Sequence, residues 1–455
     1  VSDVPRVPVT GSDSPVRVYS VIEINHILGT MLYTVSGPNY PPRLEVTKLG
    51  VDVGVGLGES SSWNAYSIVT TIYPLSNPSP DPNRSVNTNV NATHVLCPPT
   101  NKLNIRDGLV GVRQEIQNIQ SRIYRMNRVS VMSSIDGGGR TDTRTVNLPF
   151  ECIVMNPSPE LLVGCRELPV VVVPHGGPHS AFITGFMAPY AYLCLTLPCC
   201  VILVNYTGST GYGEASIETL AGTCGDTDIK DVVQCTEYVL DNHVITSTNT
   251  TNSTNTNTTN STGTEIRLDR SRVGIVGGSH GGFLTGHAIG QYPDLFKAAC
   301  MRNPVTNMAS MVATTDIPDW CGVETNGIGV GGYDFDTFRP PKPVELQQMY
   351  EKSPIFHIER VKAPLLICLG AKDRRVPHTQ GIEYYHTLLS LYRQSGSGSG
   401  SGSGSSSVSG LGLSEEEIKN RLRLVIFPDD THAIDHPASE AEHWIEIILW
   451  LKTHL

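Results

Sequence analysis

The sequence predicts an α/β protein with a doubly wound, mainly parallel sheet covered by helices on both faces. Two observations point there. From about Thr145 onward, apolar runs of strand length alternate with segments of helical periodicity. Several of those runs, such as Leu168-Pro-Val-Val-Val-Val and Cys200 to Asn205, are apolar throughout, as strands buried on both faces must be.

Taken in order, Phe150 to Met155, Leu168 to Val173 and Cys200 to Asn205 read as strands. Asp228 to Leu240 reads as a helix, with Val232, Val233, Thr236, Val239 and Leu240 on one face. Arg272 to Val276 is a strand, followed by a turn and a helix from Phe283. Lys297 to Met301, Pro364 to Leu369 and Arg423 to Phe427 are further strands. Ser439 to Leu455 is a closing helix, with Glu442 placed three residues after Ser439 as in a capping box. Its apolar face is Trp444, Ile447, Ile448, Leu451 and Leu455. Ile183 to Val204 carries no charged residue and has the length of a membrane span, but Pro189 and Pro198 interrupt it. A core helix followed by a core strand is the better reading.

Residues 1–145 differ. Val18 to Ile24 and Gly29 to Val35 read as short strands joined by a turn, Pro74 to Pro99 as a polar loop, and Leu109 to Met126 as an amphipathic helix. Two tracts, the Asn/Thr/Ser-rich 246–264 and the Ser/Gly-rich 395–410, bury too little apolar area to offset their ordering entropy. They are expected as disordered surface loops. A length of 455 residues leaves room for two to three domains.

Composition excludes some functions. Asp and Glu outnumber Lys and Arg 43 to 33, for a net charge of −10. A nucleic-acid binder would need a basic stripe, and an anionic membrane surface would repel this chain. The 11 cysteines show neither a CxxC pair nor a Cys/His cluster with zinc spacing. No secretory signal opens the sequence, so reduced thiols and a cytoplasmic location are expected. The first residue is Val1, which suggests a fragment or a processed product.

The chemistry centres on Gly277-Gly278-Ser279-His280-Gly281-Gly282. This is G-x-S-x-G placed between a strand and a helix, the setting in which a tight turn lifts a serine hydroxyl above a sheet. A serine hydroxyl is a weak nucleophile, so it needs a base, and the base needs an orienting acid. On the α/β-hydrolase fold the chain order is Ser, acid, His. Asp373 follows the strand ending near Leu369, and His432 follows the strand ending at Phe427. Both lie past the C-terminal ends of strands, where open α/β sheets place their sites. Asp429 and Asp430 are rival acids, expected to face solvent. Two N–H donors should stabilise a developing oxyanion, namely those of His280 and of Gly177 in the loop Pro174 to His179. Phe283 and Trp320 are candidates for the wall of an apolar substrate pocket.

These residues carry a family resemblance. GGSHGGFLTGHAIGQYPDLFKAACMRNPVTNMASMVATTDIPDW from Gly277 resembles the catalytic domain of the acylaminoacyl-peptidases of the prolyl oligopeptidase family. So do VVVPHGGPHS from Val171, VILVNYTGSTGYG from Val201, GDTDIKDV from Gly225, SPIFHIERVKAPLLICLGAKDRRVP from Ser353 and HWIEIILWLKTHL from His443. The resemblance covers residues 146–455 apart from the two inserts. It implies an α/β-hydrolase domain and a serine exopeptidase that removes the N-terminal acylated amino acid from blocked peptides. It makes Ser279 the nucleophile, Asp373 the acid, His432 the base and Gly177 the second oxyanion donor. It implies no metal and no cofactor, an N-acylated peptide as partner, no nucleic acid or membrane, a cytosolic location and often self-association.

Members of this family carry a β-propeller ahead of the hydrolase, and residues 1–145 have length for only an incomplete remnant with linker and insertion. Thr207 stands where the family usually has Arg, and Pro198-Cys199 where a Gly-aromatic pair is common. Three other readings stay open: an endopeptidase of the prolyl oligopeptidase kind, an esterase of the same fold, and a truncated inactive scaffold.

Overall fold

The computed structural model of this protein describes residues 18–25, 30–37, 40–48, 70–71, 119–135, 141–185, 187–248, 263–327, 333, 339–394 and 411–455. The chain forms two compact units, Val1–Ile119 with Ile183–Ala191, and Gln120–Phe182 with Tyr192–Leu455.

In the first unit, β1 (Val18–Asn25), β2 (Thr30–Gly37), β3 (Tyr40–Lys48) and β4 (Thr70–Thr71) make an antiparallel meander in sequence order. The two strands expected near Val18 and Gly29 are its first hairpin, pairing Val18 with Ser36 and Asn25 with Thr30. The expected loop at Pro74 to Pro99 lies outside the described residues.

The second unit is built on a large sheet of β5 (Ile119–Ile135), β6 (Thr141–Pro157), β7 (Glu167–Pro174), β8 (Cys200–Asn205), β9 (Ile245–Thr248), β10 (Gly263–Gly278), β11 (Ala298–Arg302), β12 (Leu365–Gly370) and β13 (Leu422–Phe427). Among the described residues the order is β13-β12-β11-β10-β7-β8-β6-β5, with β9 on the side of β10. β8, β7, β10, β11, β12 and β13 run parallel, and β6 joins β8 antiparallel. Parallel strands need crossovers on the sheet faces, which explains why β7, β8 and β12 are almost entirely buried. The crossovers include α1 (Ala188–Thr196), α2 (Thr227–Asn242), α3 (His280–Gln291), α4 (Pro318–Asn326) and α5 (Thr379–Arg393), and α6 (Pro437–His454) follows the last strand. No helix among the described residues is long and apolar enough to cross a membrane.

Several expectations change. Residues 119–126, read as the end of an amphipathic helix, are strand, and so the sheet begins before Thr145. Isolated periodicity lost there to sheet pairing, where β-branched and aromatic side chains pack against neighbouring strands. The ends of the Asn/Thr-rich tract are not loop, because Thr246↔Glu265, Ser247↔Thr264 and Thr248↔Gly263 pair as a hairpin. The rest of that tract, and the Ser/Gly tract, lie outside the described residues. The closing helix starts at Pro437 rather than at Ser439. Proline's fixed φ suits the first helical position, so Ser439 lies inside the helix, where its carbonyl accepts from His443 Nδ1 at 2.9 Å. Thr207 is buried, and the carboxylate beneath it, Asp231, accepts from Thr207 N at 2.8 Å and from Arg128 Nε of β5 at 2.8 Å.

Candidate active site

The site stands where the strand ends converge. β10 ends in Gly277-Gly278, and Ser279 takes φ 58° and ψ −123° before α3 begins at His280. A side chain at positive φ is strained, and such strain gathers at functional turns. The glycines of the motif are there for space. A Cβ on Gly277 would stand 2.0 Å from the Gly281 carbonyl oxygen, and one on Gly281 would stand 2.3 Å from that of Pro174. The turn therefore closes only with glycine at both positions. Two backbone bonds hold it, Ser279 N to Arg302 O at 2.9 Å and Phe283 N to Ser279 O at 3.0 Å.

The loop after β7 lies directly over this turn. A Cβ on Gly176 would come within 3.3 Å of Ser279 Cβ. His175 anchors the loop, with Nε2 bonded to Ser209 Oγ at 2.7 Å and its ring stacked on Tyr206 at 4.3 Å. Tyr206 OH donates to the His175 carbonyl at 2.9 Å. Burial holds the His175 imidazole down at about 4, so it stays neutral at physiological pH.

Asp373 and His432 meet across the ends of β12 and β13. His432 Nδ1 lies 2.7 Å from Asp373 Oδ2. The other carboxylate oxygen accepts from Arg375 N at 2.9 Å and Val376 N at 3.0 Å, so the acid is fully buried and fixed in rotation. The rival acids are engaged elsewhere. Asp429 pairs with Lys372 at 2.8 Å, and Asp430 with the His436 ring at 3.0 Å. Asp430 does not face solvent as expected. It is buried, because Lys372 N takes its carbonyl at 2.9 Å and His436 N its carboxylate at 3.1 Å.

Ser279, His432, Gly177 and Trp320 line one cavity of about 290 Å³ with Val305, Met311, Ile317, Arg375 and Val376. The structure thus brings together the expected nucleophile, base, second oxyanion donor and one wall aromatic, with Asp373 behind the base. Phe283 is the exception. It is fully buried in the core, stacked on His280 at 5.0 Å and edge-on to His287 at 4.4 Å, and is absent from the cavity wall. It shares a buried face of α3 with His280 and His287, whose partners are Asp228 of α2 and the Lys352 carbonyl. The His280 side chain is also fully buried, with Nε2 3.0 Å from Asp228 Oδ2, which leaves only its backbone for the cavity side.

Sequence reasoning missed two polar residues. Arg375 lines the cavity and is held by Asp316, Nε to Oδ1 at 2.8 Å. Asn303, just past β11, bonds both the Gly370 amide and the His432 carbonyl. Each stands beyond a strand's C-terminal end, the signal that located Asp373 and His432.

The arrangement can deliver a serine oxygen to a carbonyl, take its proton on an imidazole and hold the negative oxygen with backbone amides. The comparisons with known proteins agree with this architecture. The chain is 39% identical over 312 residues to the acylamino-acid-releasing enzyme of Mus musculus, covering 68% of this chain and 34% of that one. It is 34% identical over 340 residues to the acylamino-acid-releasing enzyme of Arabidopsis thaliana, covering 74% of this chain and 36% of that one. The chain thus spans about a third of the length of these relatives. Its fold is that of the Pyrococcus horikoshii acylaminoacyl peptidase, with a TM-score of 0.58 at 18% identity over 94% of this chain and 48% of that one. The model of the prolyl oligopeptidase family matches residues 189–251 and 261–455, and the chain belongs to that family.

Proposed function

We propose that this chain is a serine exopeptidase that releases the N-terminal acylated amino acid from blocked peptides. One observation carries the reading. Ser279, on its strained turn, shares a cavity with His432, whose far nitrogen is held by buried Asp373. The two relatives named above carry the name of that activity.

In this reading His432 Nε2 takes the Ser279 proton as Oγ bonds to the scissile carbonyl carbon. The carbonyl oxygen becomes negative and is held by the N–H groups of Gly177 and His280. Asp373 keeps Nδ1 protonated and offsets the imidazolium charge. The C–N bond then breaks, His432 gives its proton to the leaving amine, and an acyl-enzyme remains. Water, deprotonated by His432, attacks the ester, and the N-acylated amino acid leaves as Ser279 regains its proton.

The ten described cysteines are free thiols and nine are buried, which supports a reducing, cytosolic compartment. Ile445 and Leu449, four residues apart on α6 and about half exposed, support self-association of the chain.

The test is hydrolysis of N-acetyl-alanine p-nitroanilide beside the unblocked anilide and a simple ester, with Ser279→Ala as control and fluorophosphonate labelling as an active-site count. Preference for the blocked anilide supports the reading. Equal cleavage at an internal bond of a longer peptide offered alongside would make the chain an endopeptidase, and ester cleavage alone an esterase. A folded chain that takes no label would be a scaffold.

A further inference from the structure

Behind the nucleophile turn lies a second cluster that the proposed reaction does not use. Cys224, Asp228 and His280 are buried, from 0% to 1% exposed, and their donor atoms all lie within 4.8 Å of one another. Cys224 Sγ is 3.8 Å from His280 Nε2 and 3.5 Å from Asp228 Oδ2, and those two are 3.0 Å apart. Bond lengths of about 2.3 Å to sulfur and about 2.0–2.2 Å to nitrogen and oxygen, at the tetrahedral angle, place donors roughly 3.3–3.6 Å apart. The three separations bracket that value.

Glu324 of α4 points to the same ligand independently. It is 1% exposed, its Oε2 has no hydrogen-bond partner among the described residues, and its carboxylate lies beside Cys224 and Asp228. A buried carboxylate oxygen without a partner is costly unless something satisfies it. Among the described residues the cluster's ion pairs run to histidines, His280 with Asp228 and His179 with Glu324 at 3.6 Å. Burial with the Asp228 charge alongside lifts the Glu324 carboxyl to about 7.

We propose that Cys224, Asp228 and His280 bind one zinc ion, with a water in the fourth position and Glu324 as an outer-shell acceptor beside it. Mixed sulfur, imidazole and carboxylate donors suit a borderline-soft, tetrahedral ion. The role is structural. The ion joins the turn leading into α2 to the first residue of α3, and so fixes the residue that follows Ser279. His179, one third exposed, stands beside Glu324. Zinc templates built on paired cysteines overlook this site. Cys224 and Asp228 are one helical turn apart, and His280 is 52 residues further on. The site stands whether or not Ser279 is the nucleophile.

The test is titration of the purified, metal-stripped chain with Co²⁺ alone, followed by Zn²⁺, read by absorption. One Co²⁺ per chain should bind, with a sulfur-to-cobalt charge-transfer band and tetrahedral d–d bands that Zn²⁺ abolishes. Cys224→Ala should lose the charge-transfer band, and Glu324→Gln should weaken binding by about 10- to 100-fold. Folded wild-type chain without these bands, or Cys224→Ala with bands of undiminished intensity, overturns the proposal. X-ray absorption of the zinc-loaded wild type is decisive even if the variants do not fold: one sulfur at about 2.3 Å supports the site, and an all-oxygen and nitrogen shell overturns it.

Discussion

Asn303 holds His432 by its backbone. Its side-chain amide donates to the His432 carbonyl at 2.9 Å and to that of Thr431 at 3.3 Å, while its Oδ1 accepts from Gly370 N at 2.8 Å. One buried side chain therefore ties the end of β12 to the loop after β13, the two segments that present Asp373 and His432. Asn303 itself has φ 40°, a left-handed conformation that asparagine tolerates better than most residues. Asn303→Ala leaves a buried N–H and two carbonyls short of a partner, at a cost of about 1–3 kcal/mol. Denaturant unfolding should report that loss. Fluorophosphonate labelling of the still-folded variant should slow by about tenfold or more, because His432 loses its tether. Unchanged labelling would show that the Asp373–His432 bond alone sets the base.

Gly370 makes that tether possible. A Cβ there would stand 2.3 Å from the Thr431 carbonyl oxygen and 2.8 Å from that of Asp430. Both are backbone atoms, so the loop carrying His432 must move to admit a methyl group. Gly370→Ala should destabilise the chain by about 1–3 kcal/mol, as overpacking does. It should also lower kcat for the blocked anilide more than it raises KM. A KM effect with kcat unchanged would place the displacement at the substrate wall and spare the base.

The strands and the meeting of Asp373 with His432 were legible in the sequence because each rests on local signals. Continuous apolar runs gave β7, β8 and β12, and placement past strand ends located Ser279, Asp373 and His432. What was hidden depends on pairing between distant segments. Residues 119–126 carry helical periodicity but are strand because β6 lies beside them. Ser439 and Glu442 have capping-box spacing, yet Pro437 starts the helix two residues earlier. Phe283 stands one turn from Ser279, and its packing with His280 and His287 inside the core, not its spacing, decides that it faces away from the cavity. Asn303 has no recognisable neighbours in sequence, since its partners are 67 and 129 residues away.

Buried histidines set the acid limit. Burial depresses His175, His243 and His443 to about 4 and His287 to about 3, all from 6.5. Each binds its proton more readily unfolded than folded, so its contribution is fully present above 6.5 and is lost as pH falls toward its folded value. Four such groups predict a steep fall in stability between pH 6.5 and pH 4, on the order of several kcal/mol. Urea unfolding across that range measures it. His287→Gln should flatten the profile below pH 6.5 relative to wild type, and an unchanged slope would mean that His287 is not held neutral.

Arg375 bears on selectivity rather than on bond breaking. Arg375 lines the cavity with Ser279 and His432, and Asp316 holds its Nε at 2.8 Å and Nη2 at 3.4 Å. Its backbone N–H positions Asp373, but that bond survives a change of side chain. A bound peptide puts carbonyl oxygens into a wall otherwise made largely of Val305, Met311, Ile317, Trp320 and Val376, which offers them few side-chain donors. A hydrogen bond from a charged donor is worth about 1.5–3 kcal/mol, or roughly 10- to 150-fold in kcat/KM. Arg375→Ala should lose that factor on the N-acetylated anilide, chiefly through KM. Labelling by a small fluorophosphonate, which lacks the acyl-amino-acid carbonyls, should change by no more than a few-fold. Equal losses on both would place Arg375 in the positioning of Asp373 instead, because only a misplaced base slows every substrate alike.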